Sequence, residues 1–245
     1  MTIYAIGDIH GQLDALKRTH DRIDRDRTAE GAGRAPIVHV GDFVDRGPNV
    51  RGTLDYMIAR QAQGAGDINL KGNHDRMMAT FLEPERRDDP LRGDLFWLDD
   101  PLGGRPSLAS YGVDVGRLRR IARIHKDARA AVPQAHLDFL RDLRVTHAAP
   151  GLFFCHAGVR PGVPLTEQAE DDLVWIRREF LDSDADHGAL IVHGHTPVEA
   201  VMHAGNHLNI DTGAGYGRPL SAVVIEGTDV FEVTESGRVP LPSPL

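Results

Sequence analysis

Polar residues that can bind metal ions or transfer protons recur at five places in the sequence, each time directly after a short apolar run. Apolar runs this short, often β-branched and ended by Gly, Asp, Asn or His, are typical of buried strands. The five polar segments are Gly7-Asp8-Ile9-His10-Gly11, Gly41-Asp42-Phe43-Val44-Asp45-Arg46-Gly47, Lys71-Gly72-Asn73-His74-Asp75, Cys155-His156-Ala157-Gly158 and His193-Gly194-His195-Thr196.

Asp8 and His10 illustrate the chemistry that this spacing allows. Residues two apart in an extended chain point to the same side, so both side chains can bind one ion. The carboxyl ends of strands in an open α/β sheet form the edge where such sheets assemble their sites. Carboxylate oxygen, amide oxygen and imidazole nitrogen, without a thiolate, suit Mn²⁺, Fe or Zn²⁺. The pattern predicts a metal site, and two ions sharing a bridging carboxylate would suit in-line attack on phosphorus.

Strands that alternate with helices must position these side chains. The predicted strands cover residues 3–6, 37–40, 68–70, 152–154, 190–192, 207–210, 222–225 and 230–233. Apolar spacing and helix-start residues predict helices from Gln12 to about Arg27, from Pro133 to Leu143 and from Thr166 to Asp182. This alternation predicts an α/β sandwich.

A single domain is expected for residues 1–245, because no composition shift or long Pro/Gly/Ser linker divides the chain. Residues at about 84–132 interrupt the alternation with a segment rich in Asp, Arg, Gly and Pro, in which Trp97 and Tyr111 are isolated aromatics. We predict that this segment is an insertion over one edge of the sheet. The tail, residues 240–245, is predicted to be loosely held.

Composition predicts a soluble cytoplasmic protein. The formal net charge of −8 argues against a nucleic-acid or anionic-membrane partner. Cys155 is the only cysteine, which excludes an intrachain disulfide and favours a reducing compartment. The N-terminal run lacks the basic start and apolar length of a signal peptide, and no stretch approaches the ~20 apolar residues of a membrane span.

Three of the polar segments together resemble a known family. Gly7-Asp8-x-His10-Gly11, Gly41-Asp42-x-x-Asp45-Arg46-Gly47 and Gly72-Asn73-His74-Asp75 resemble the phosphoprotein phosphatase branch of the calcineurin-like metallophosphoesterases. They look most like the short bacterial and phage serine/threonine phosphatases, and the motifs span residues 7–196. The resemblance implies a metallophosphoesterase-type β-sandwich flanked by helices, with a dinuclear metal site at the C-terminal ends of the strands.

The resemblance also implies an activity. This is the hydrolysis of phosphate monoesters, above all phosphoserine and phosphothreonine in proteins, by a metal-activated hydroxide. The expected cofactor is a pair of divalent ions, with Mn²⁺ preferred and Fe or Zn²⁺ as alternatives. The expected partner is a phosphoprotein or a small phosphorylated substrate, and the oligomeric state is left open.

Each matching residue receives a role from the resemblance. His74 would protonate the leaving alkoxide, and Asp45 would orient His74. Arg46 and Asn73 would bind phosphate oxygens. Arg177 would do so too, because Leu173-Val174-Trp175-Ile176-Arg177 resembles a phosphate-binding segment of the family. The metal ligands would be Asp8 and His10 for the first ion, Asp42 as the bridge, and Asn73, His156 and His195 for the second ion.

Two positions depart from the family pattern. Lys71 stands where many relatives have Arg, and lysine keeps the charge but loses the bidentate geometry. A phosphate contact of Lys71 is therefore left open. Asp75 replaces the commoner Glu.

Other motifs receive no catalytic role. The segment from Cys155 to Arg160 resembles a cysteine-phosphatase loop but is one residue too short, and Cys155 is expected to be a buried strand residue. Residues 213–217 lack dinucleotide-binding spacing and are interpreted as a flexible turn, and Asp211 as part of a plain turn. His39 and His193 are expected to be core or supporting histidines rather than metal ligands.

Two rival functions remain beside phosphoprotein hydrolysis. A sister group with nearly the same metal motifs cleaves dinucleoside tetraphosphates symmetrically, but often carries Ala or Asn at the position of Asp45. The presence of Asp45 therefore favours the phosphatase. A non-enzymatic scaffold would be expected to have lost a ligand or His74, and neither is missing.

Overall fold

The computed structural model describes residues 1–244, which form two mixed β-sheets with helices on their outer faces. The larger sheet contains, in spatial order, β11 (Gly237–Pro240), β10 (Asp229–Thr234), β9 (Ala222–Glu226), β1 (Thr2–Ile6), β2 (Ile37–His39) and β3 (Ile68–Asn69). The smaller sheet contains β4 (His147–Ala149), β5 (Leu152–Phe154), β6 (Leu190–His193), β8 (His207–Asn209) and β7 (Met202–His203). This architecture confirms the predicted α/β sandwich.

The eight helices of the described residues occur mainly in the connections between strands. They are α1 (Leu13–Ala29), α2 (Val50–Ala62), α3 (Asn73–Phe81), α4 (Gly104–Ser110), α5 (Ile121–Ala131), α6 (Gln134–Asp142), α7 (Glu170–Trp175) and α8 (Arg178–Leu181). A 3₁₀ turn covers Ala214–Tyr216. No helix of the described residues is both long and apolar enough to cross a membrane.

Parallel pairing brings the ends of the site-bearing strands together. In the larger sheet β1 pairs with β2 and β2 with β3, all parallel, while in the smaller sheet β5 and β6 are parallel. The sheets pack on each other through a buried apolar layer that includes Ile3, Val38, Phe154, Val192 and Leu208. The loops that follow these five strands therefore meet at one end of the sandwich.

The 84–132 segment was predicted to be an insertion over one edge of the sheet. It joins the helical layer on the larger sheet, because Trp97, Leu98 and Leu108 are buried in the same apolar cluster as Leu54 of α2 and Phe81 of α3. Its two helices, α4 and α5, lie within a stretch that the sequence indicated only as irregular. The segment thereby reaches the loop after β2.

One local prediction was wrong. The helix predicted from Thr166 to Asp182 is two short helices, α7 and α8, separated at Ile176 and Arg177, where φ/ψ of Arg177 is −135°/−99°. The break turns Arg177 toward the loop after β6. In the tail that was predicted to be loosely held, residues 240–245, Pro240 ends β11 and the N–H of Leu241 donates to the carbonyl of Val230. Residues 242–244 belong to no strand or helix, and Leu245 lies outside the described residues.

Candidate dinuclear metal centre

The loops after the strands present the candidate ligands in strained backbone conformations. His10, Asp42 and His195 have φ values of 47°, 52° and 67°, in the left-handed region that non-glycine residues rarely adopt. Such strain persists only where the surrounding structure holds it, and it is typical of functional sites. These three residues follow β1, β2 and β6, respectively.

Two motif glycines make room for carboxylates. A Cβ atom at Gly72 would lie 2.0 Å from Oδ1 of Asp42, and one at Gly194 would lie 2.0 Å from Oδ1 of Asp8. Both carboxylates instead receive backbone N–H groups: His74 donates to Asp42 at 3.0 Å, and His195 donates to Asp8 at 3.1 Å. Glycine at these positions therefore allows backbone and carboxylate to approach each other.

One group of potential ligands combines residues from both sheets. Oδ1 of Asn73 lies 3.0 Å from Nε2 of His156 and 2.8 Å from Nδ1 of His195. Nε2 of His156 lies 3.4 Å from Oδ2 of Asp42. These four donor atoms converge on one position, as four-coordinate ligands of a divalent ion would. This is the set expected for the second ion.

A second group shares Asp42 with the first. Nε2 of His10 lies 3.6 Å and Nε2 of His74 lies 4.0 Å from Oδ2 of Asp42. Because Asp42 belongs to both groups, it has the position of a bridging ligand. Asp8, expected beside His10, lies outside both groups, and its carboxylate faces the backbone N–H of His195. Its role as a ligand stays a prediction.

Backbone carbonyls orient two of the imidazoles. Nδ1 of His10 lies 2.8 Å from the carbonyl oxygen of Val44, and Nδ1 of His156 lies 3.0 Å from that of Val40. A proton on Nδ1 donates to the carbonyl, so the lone pair that can bind a metal ion is on Nε2. Burial also lowers the pKa of both histidines, which favours the neutral form that binds metal.

Three buried carboxylates, those of Asp8, Asp42 and Asp211, lie close together at the centre. Asp211, interpreted from the sequence as part of a plain turn, is 3% exposed and close to Asp8 and Asp42. Burial, followed by the charges of Asp211 and Asp42, raises the pKa of Asp8 well above its usual value. Buried like charges are costly without cations. The donor set and the charge therefore fit two divalent ions.

His74, which lies in the second group, and two arginines mark the side of the centre where a substrate would bind. Nδ1 of His74 lies 2.7 Å from Oδ2 of Asp45, and its Nε2 lies 3.0 Å from Nη2 of Arg46. Arg46 also contacts Nε2 of His10. Nε of Arg177 donates to Nε2 of His195 at 3.0 Å. The structure thus brings the predicted acid, its partner carboxylate and both predicted phosphate-binding arginines to one place.

The side chain of Lys71 is paired with a carboxylate rather than with a group of the metal centre. Its Nζ lies 3.3 Å from Oε1 of Glu170 in α7, so its ammonium group is paired on that side of the molecule. Asp75, the departure from the family's Glu, accepts the backbone N–H groups of Phe43, at 2.9 Å, and of Gly72, also at 2.9 Å. It thereby ties the loop after β2 to the start of α3.

The motifs given no catalytic role are mostly buried supports. Burial raises the pKa of the Cys155 thiol, which opposes formation of a nucleophilic thiolate. His39 contacts His20 and His193 contacts His207, each at 3.0 Å between ring nitrogens. The glycine-rich turn has a role that the sequence did not predict: Gly215 packs so closely on His10 that a Cβ would lie 2.5 Å from the ring.

Trp97 and Ser107, both from the 84–132 segment, were also missed. The sequence marked Trp97 only as an isolated aromatic in a polar segment, and nothing distinguished Ser107. In the structure both side chains hydrogen-bond to the carboxylate of Asp45. The only signal in the sequence was a general one: the indole N–H of a buried tryptophan usually finds a hydrogen-bond partner.

The sandwich and its ligand groups define a metal-dependent phosphoesterase. The chain belongs to the calcineurin-like phosphoesterase family, whose sequence profile matches residues 1–216. Enzymes of this family are metal-dependent hydrolases of phosphate esters with a dinuclear centre, and the two ligand groups agree with that chemistry. The solved structure of a putative diadenosine tetraphosphatase has a similar fold, with a TM-score of 0.62 at 19% identity over 98% of this chain and 93% of that one.

Curated relatives with similar sequences carry two kinds of name. A symmetrical bis(5'-nucleosyl)-tetraphosphatase of Delftia acidovorans is 35% identical over 36% of this chain and 28% of its own length. A serine/threonine-protein phosphatase of Arabidopsis thaliana is 31% identical over 30% of this chain and 7% of its own length. The chain thus spans less than a third of either relative. An asymmetrical bis(5'-nucleosyl)-tetraphosphatase of Anoxybacillus flavithermus is 24% identical over 89% of this chain and 88% of its own length.

Proposed function

We propose that this enzyme hydrolyses phosphate monoesters of proteins, namely phosphoserine and phosphothreonine. The observation that carries the proposal is the buried pair of Asp45 and His74, whose atoms Oδ2 and Nδ1 lie 2.7 Å apart. An alkoxide of serine or threonine is a poor leaving group and needs a proton as the P–O bond breaks. A histidine held by a carboxylate beside the metal centre suits that task.

Asp45 and His74 have different roles in the proton transfer. Asp45 accepts a hydrogen bond from Nδ1 and fixes the ring, so that Nε2 faces the centre 4.0 Å from Oδ2 of Asp42. A proton on Nε2 is then transferred to the leaving oxygen of the substrate. Nη2 of Arg46 lies 3.0 Å from Nε2 of His74 in this structure. The proposal therefore requires the guanidinium to turn from His74 to the phosphate when the substrate binds.

The phosphate of the substrate is bound by Arg46, Arg177 and Asn73. A guanidinium group offers paired donors that match the oxygens of a phosphate. Two divalent ions, when bound, would supply Lewis acidity toward phosphate and lower the pKa of an attacking water. We propose Mn²⁺, with Fe or Zn²⁺ as alternatives, in a centre whose ligands are Asp8, His10, Asp42, Asn73, His156 and His195.

Symmetrical cleavage of dinucleoside tetraphosphates is the second candidate. Three curated relatives that match at 34–36% identity over about a third of this chain carry the name of that activity. A nucleotide leaving group is already a good anion and has less need of a protonating histidine. The Asp45–His74 pair therefore argues for the monoester, whereas the names of the relatives argue for the tetraphosphate.

Both candidates are compared in one experiment. kcat/KM is measured with Mn²⁺ for a panel of phosphoserine and phosphothreonine peptides and for diadenosine tetraphosphate, in wild type and in Asp45→Asn. We expect the wild type to hydrolyse the peptides, and Asp45→Asn to lose this activity while largely sparing any cleavage of the tetraphosphate. A wild type that turns over only the tetraphosphate would instead establish the second candidate.

A further inference from the structure

Two donors from the 84–132 segment surround the carboxylate of Asp45. Its Oδ2 accepts from Nε1 of Trp97 at 2.8 Å, beside the contact with His74, and its Oδ1 accepts from Oγ of Ser107 at 2.6 Å. Asp45 and Ser107 are 0% exposed and Trp97 is 2% exposed, so bulk water cannot replace either donor. Neither Trp97 nor Ser107 belongs to the motifs that carry the family resemblance.

The indole of Trp97 has little freedom to move. Its ring centroid lies 4.8 Å from that of Phe81 in α3. On another side, the backbone of Gly104 is so close that an added Cβ would lie 2.6 Å from the indole ring. The direction in which Nε1 approaches Asp45 is therefore set by packing.

The same segment supports the backbone at Asp45 and Arg46. Their φ values are 74° and 63°, so two successive non-glycine residues are left-handed. Oγ of Ser107 accepts the N–H of Asp45 at 3.0 Å, and the carbonyl of Gly103 accepts the N–H of Arg46 at 3.3 Å. Ser107 thus contacts both the main chain and the side chain of Asp45.

We propose that Trp97 and Ser107 are positioning residues for proton transfer, and that they hold the Asp45 carboxylate in the orientation that aims Nε2 of His74 at the leaving oxygen. The terminal torsion of an aspartate is broad, so a carboxylate with one partner can rotate. Donors on both oxygens remove that freedom. The proposal rests on the roles proposed above for Asp45 and His74.

Two substitutions remove one donor each. Trp97→Phe keeps an aromatic ring between Phe81 and Gly104 but deletes the N–H. Ser107→Ala deletes the hydroxyl, which also accepts the backbone N–H of Asp45. We expect each to lower kcat on an alkyl phosphate about tenfold, a fraction of the ~10²–10⁴-fold benefit of general-acid catalysis. KM and the kcat on an aryl phosphate with a good leaving group should change little, because such a leaving group has little need of a proton.

Tyr111→Phe is the matched control. It also deletes one buried donor of the segment, since Oη of Tyr111 contacts Nδ1 of His136 at 2.8 Å, but it leaves Asp45 untouched. We expect this variant to lose stability without any dependence on the leaving group. If Trp97→Phe and Ser107→Ala affect alkyl and aryl phosphates equally, or behave like Tyr111→Phe, the positioning role is wrong.

Indole resonances provide a readout that does not depend on activity. The chain has two tryptophans, Trp97 and Trp175, and Nε1 of Trp175 has no hydrogen-bond partner among the described residues. In ¹H–¹⁵N spectra of the metal-free protein, Trp97→Phe assigns the two indole signals. We expect Asp45→Asn to shift the Trp97 signal upfield and to leave that of Trp175 in place. An unmoved Trp97 signal would overturn the proposed contact.

Asp45→Asn also separates failure of this proposal from failure of the proposed function. If the wild type turns over no alkyl phosphate, the proposed function fails. If the wild type does turn over alkyl phosphates and Asp45→Asn leaves that turnover intact, the Asp45–His74 pair is not the acid, and the role on which the positioning proposal rests fails with it. If Asp45→Asn lowers that turnover while Trp97→Phe and Ser107→Ala do not, only the positioning role fails. In the Asp45→Asn background, Trp97→Phe should have no further effect, because the two changes act on one interaction.

Discussion

Replacement of His74 by asparagine is the sharpest test of the proposed proton transfer. The amide nitrogen of asparagine can occupy the position of Nδ1, which lies 2.7 Å from Oδ2 of Asp45, whereas no atom of asparagine replaces Nε2. The variant keeps a donor toward the buried carboxylate and loses the atom that faces the centre. His74→Ala would lack both and would leave Asp45 with one donor fewer.

The size of the effect follows from what Nε2 does. General-acid catalysis is worth ~10²–10⁴-fold, or about 2.7–5.4 kcal/mol of activation free energy at 1.36 kcal/mol per tenfold change. We expect His74→Asn to lose this much kcat on an alkyl phosphate with KM little changed. Because Nε2 lies 4.0 Å from Oδ2 of Asp42, a disturbed metal centre would also lower kcat.

Substrates with different leaving groups distinguish loss of the proton donor from a disturbed metal centre. kcat and KM are measured for an alkyl and an aryl phosphate under saturating Mn²⁺, together with the metal content of each protein. Loss of a proton donor spares the aryl ester, whereas loss of metal affects both esters alike. Equal losses on the two substrates at full metal content would refute the role of His74.

Three further predictions concern the metals, the phosphate and the fold. Asp42→Asn should weaken both ions because Asp42 belongs to both ligand groups, and full metal content in the purified variant would contradict the bridge. Arg46→Ala and Arg177→Ala should each weaken inhibition by inorganic phosphate about tenfold or more, since charge-assisted hydrogen bonds contribute ~1.5–3 kcal/mol; unchanged inhibition in Arg177→Ala would refute its contact. Burial lowers the pKa of His20, and it lowers the pKa of His39 to about 4. Between about pH 6.5 and 4, these histidines therefore bind protons in the unfolded chain but not in the folded protein. The free energy of unfolding of the metal-free protein, measured with urea, should therefore fall as pH drops through this window, by about 1.4 kcal/mol per pH unit for each histidine, and less steeply in His39→Gln.

The strands and the polar residues after them were predictable because both signals are local. A buried strand shows as a short apolar run, and Leu152–Phe154 has the bounds expected from its three residues. Residues such as Asp42 and Asn73 follow those runs directly, and the common edge of parallel strands brings them together. The order of motifs along the chain therefore contained most of the candidate ligand set.

Contacts made at long range were not predictable in this way. Trp97 and Ser107 are 52 and 62 residues from Asp45 in sequence, and no periodicity links them. The break at Arg177 was missed because α7 and α8 have continuous helical character in sequence, whereas tertiary contacts with His195 favour the turn. In the sequence Asp211 resembles an ordinary turn residue. Its place near the centre becomes apparent only in the fold, where the end of β8 lies beside the end of β1.

The origin of the ligands in two different sheets has a consequence for the mechanics of the molecule. Asp42 and Asn73 follow strands of the larger sheet, whereas His156 and His195 follow strands of the smaller one. An ion bound by all four would cross-link the halves of the sandwich at the end where the apolar layer stops. Ligands that bind only the native state stabilise it in proportion to the logarithm of their concentration. Removal of the ions by a chelator should therefore first increase local opening between the two sheets. We expect amide hydrogen exchange to accelerate more at the ends of β2 and β6 than in the distant hairpin of β10 and β11.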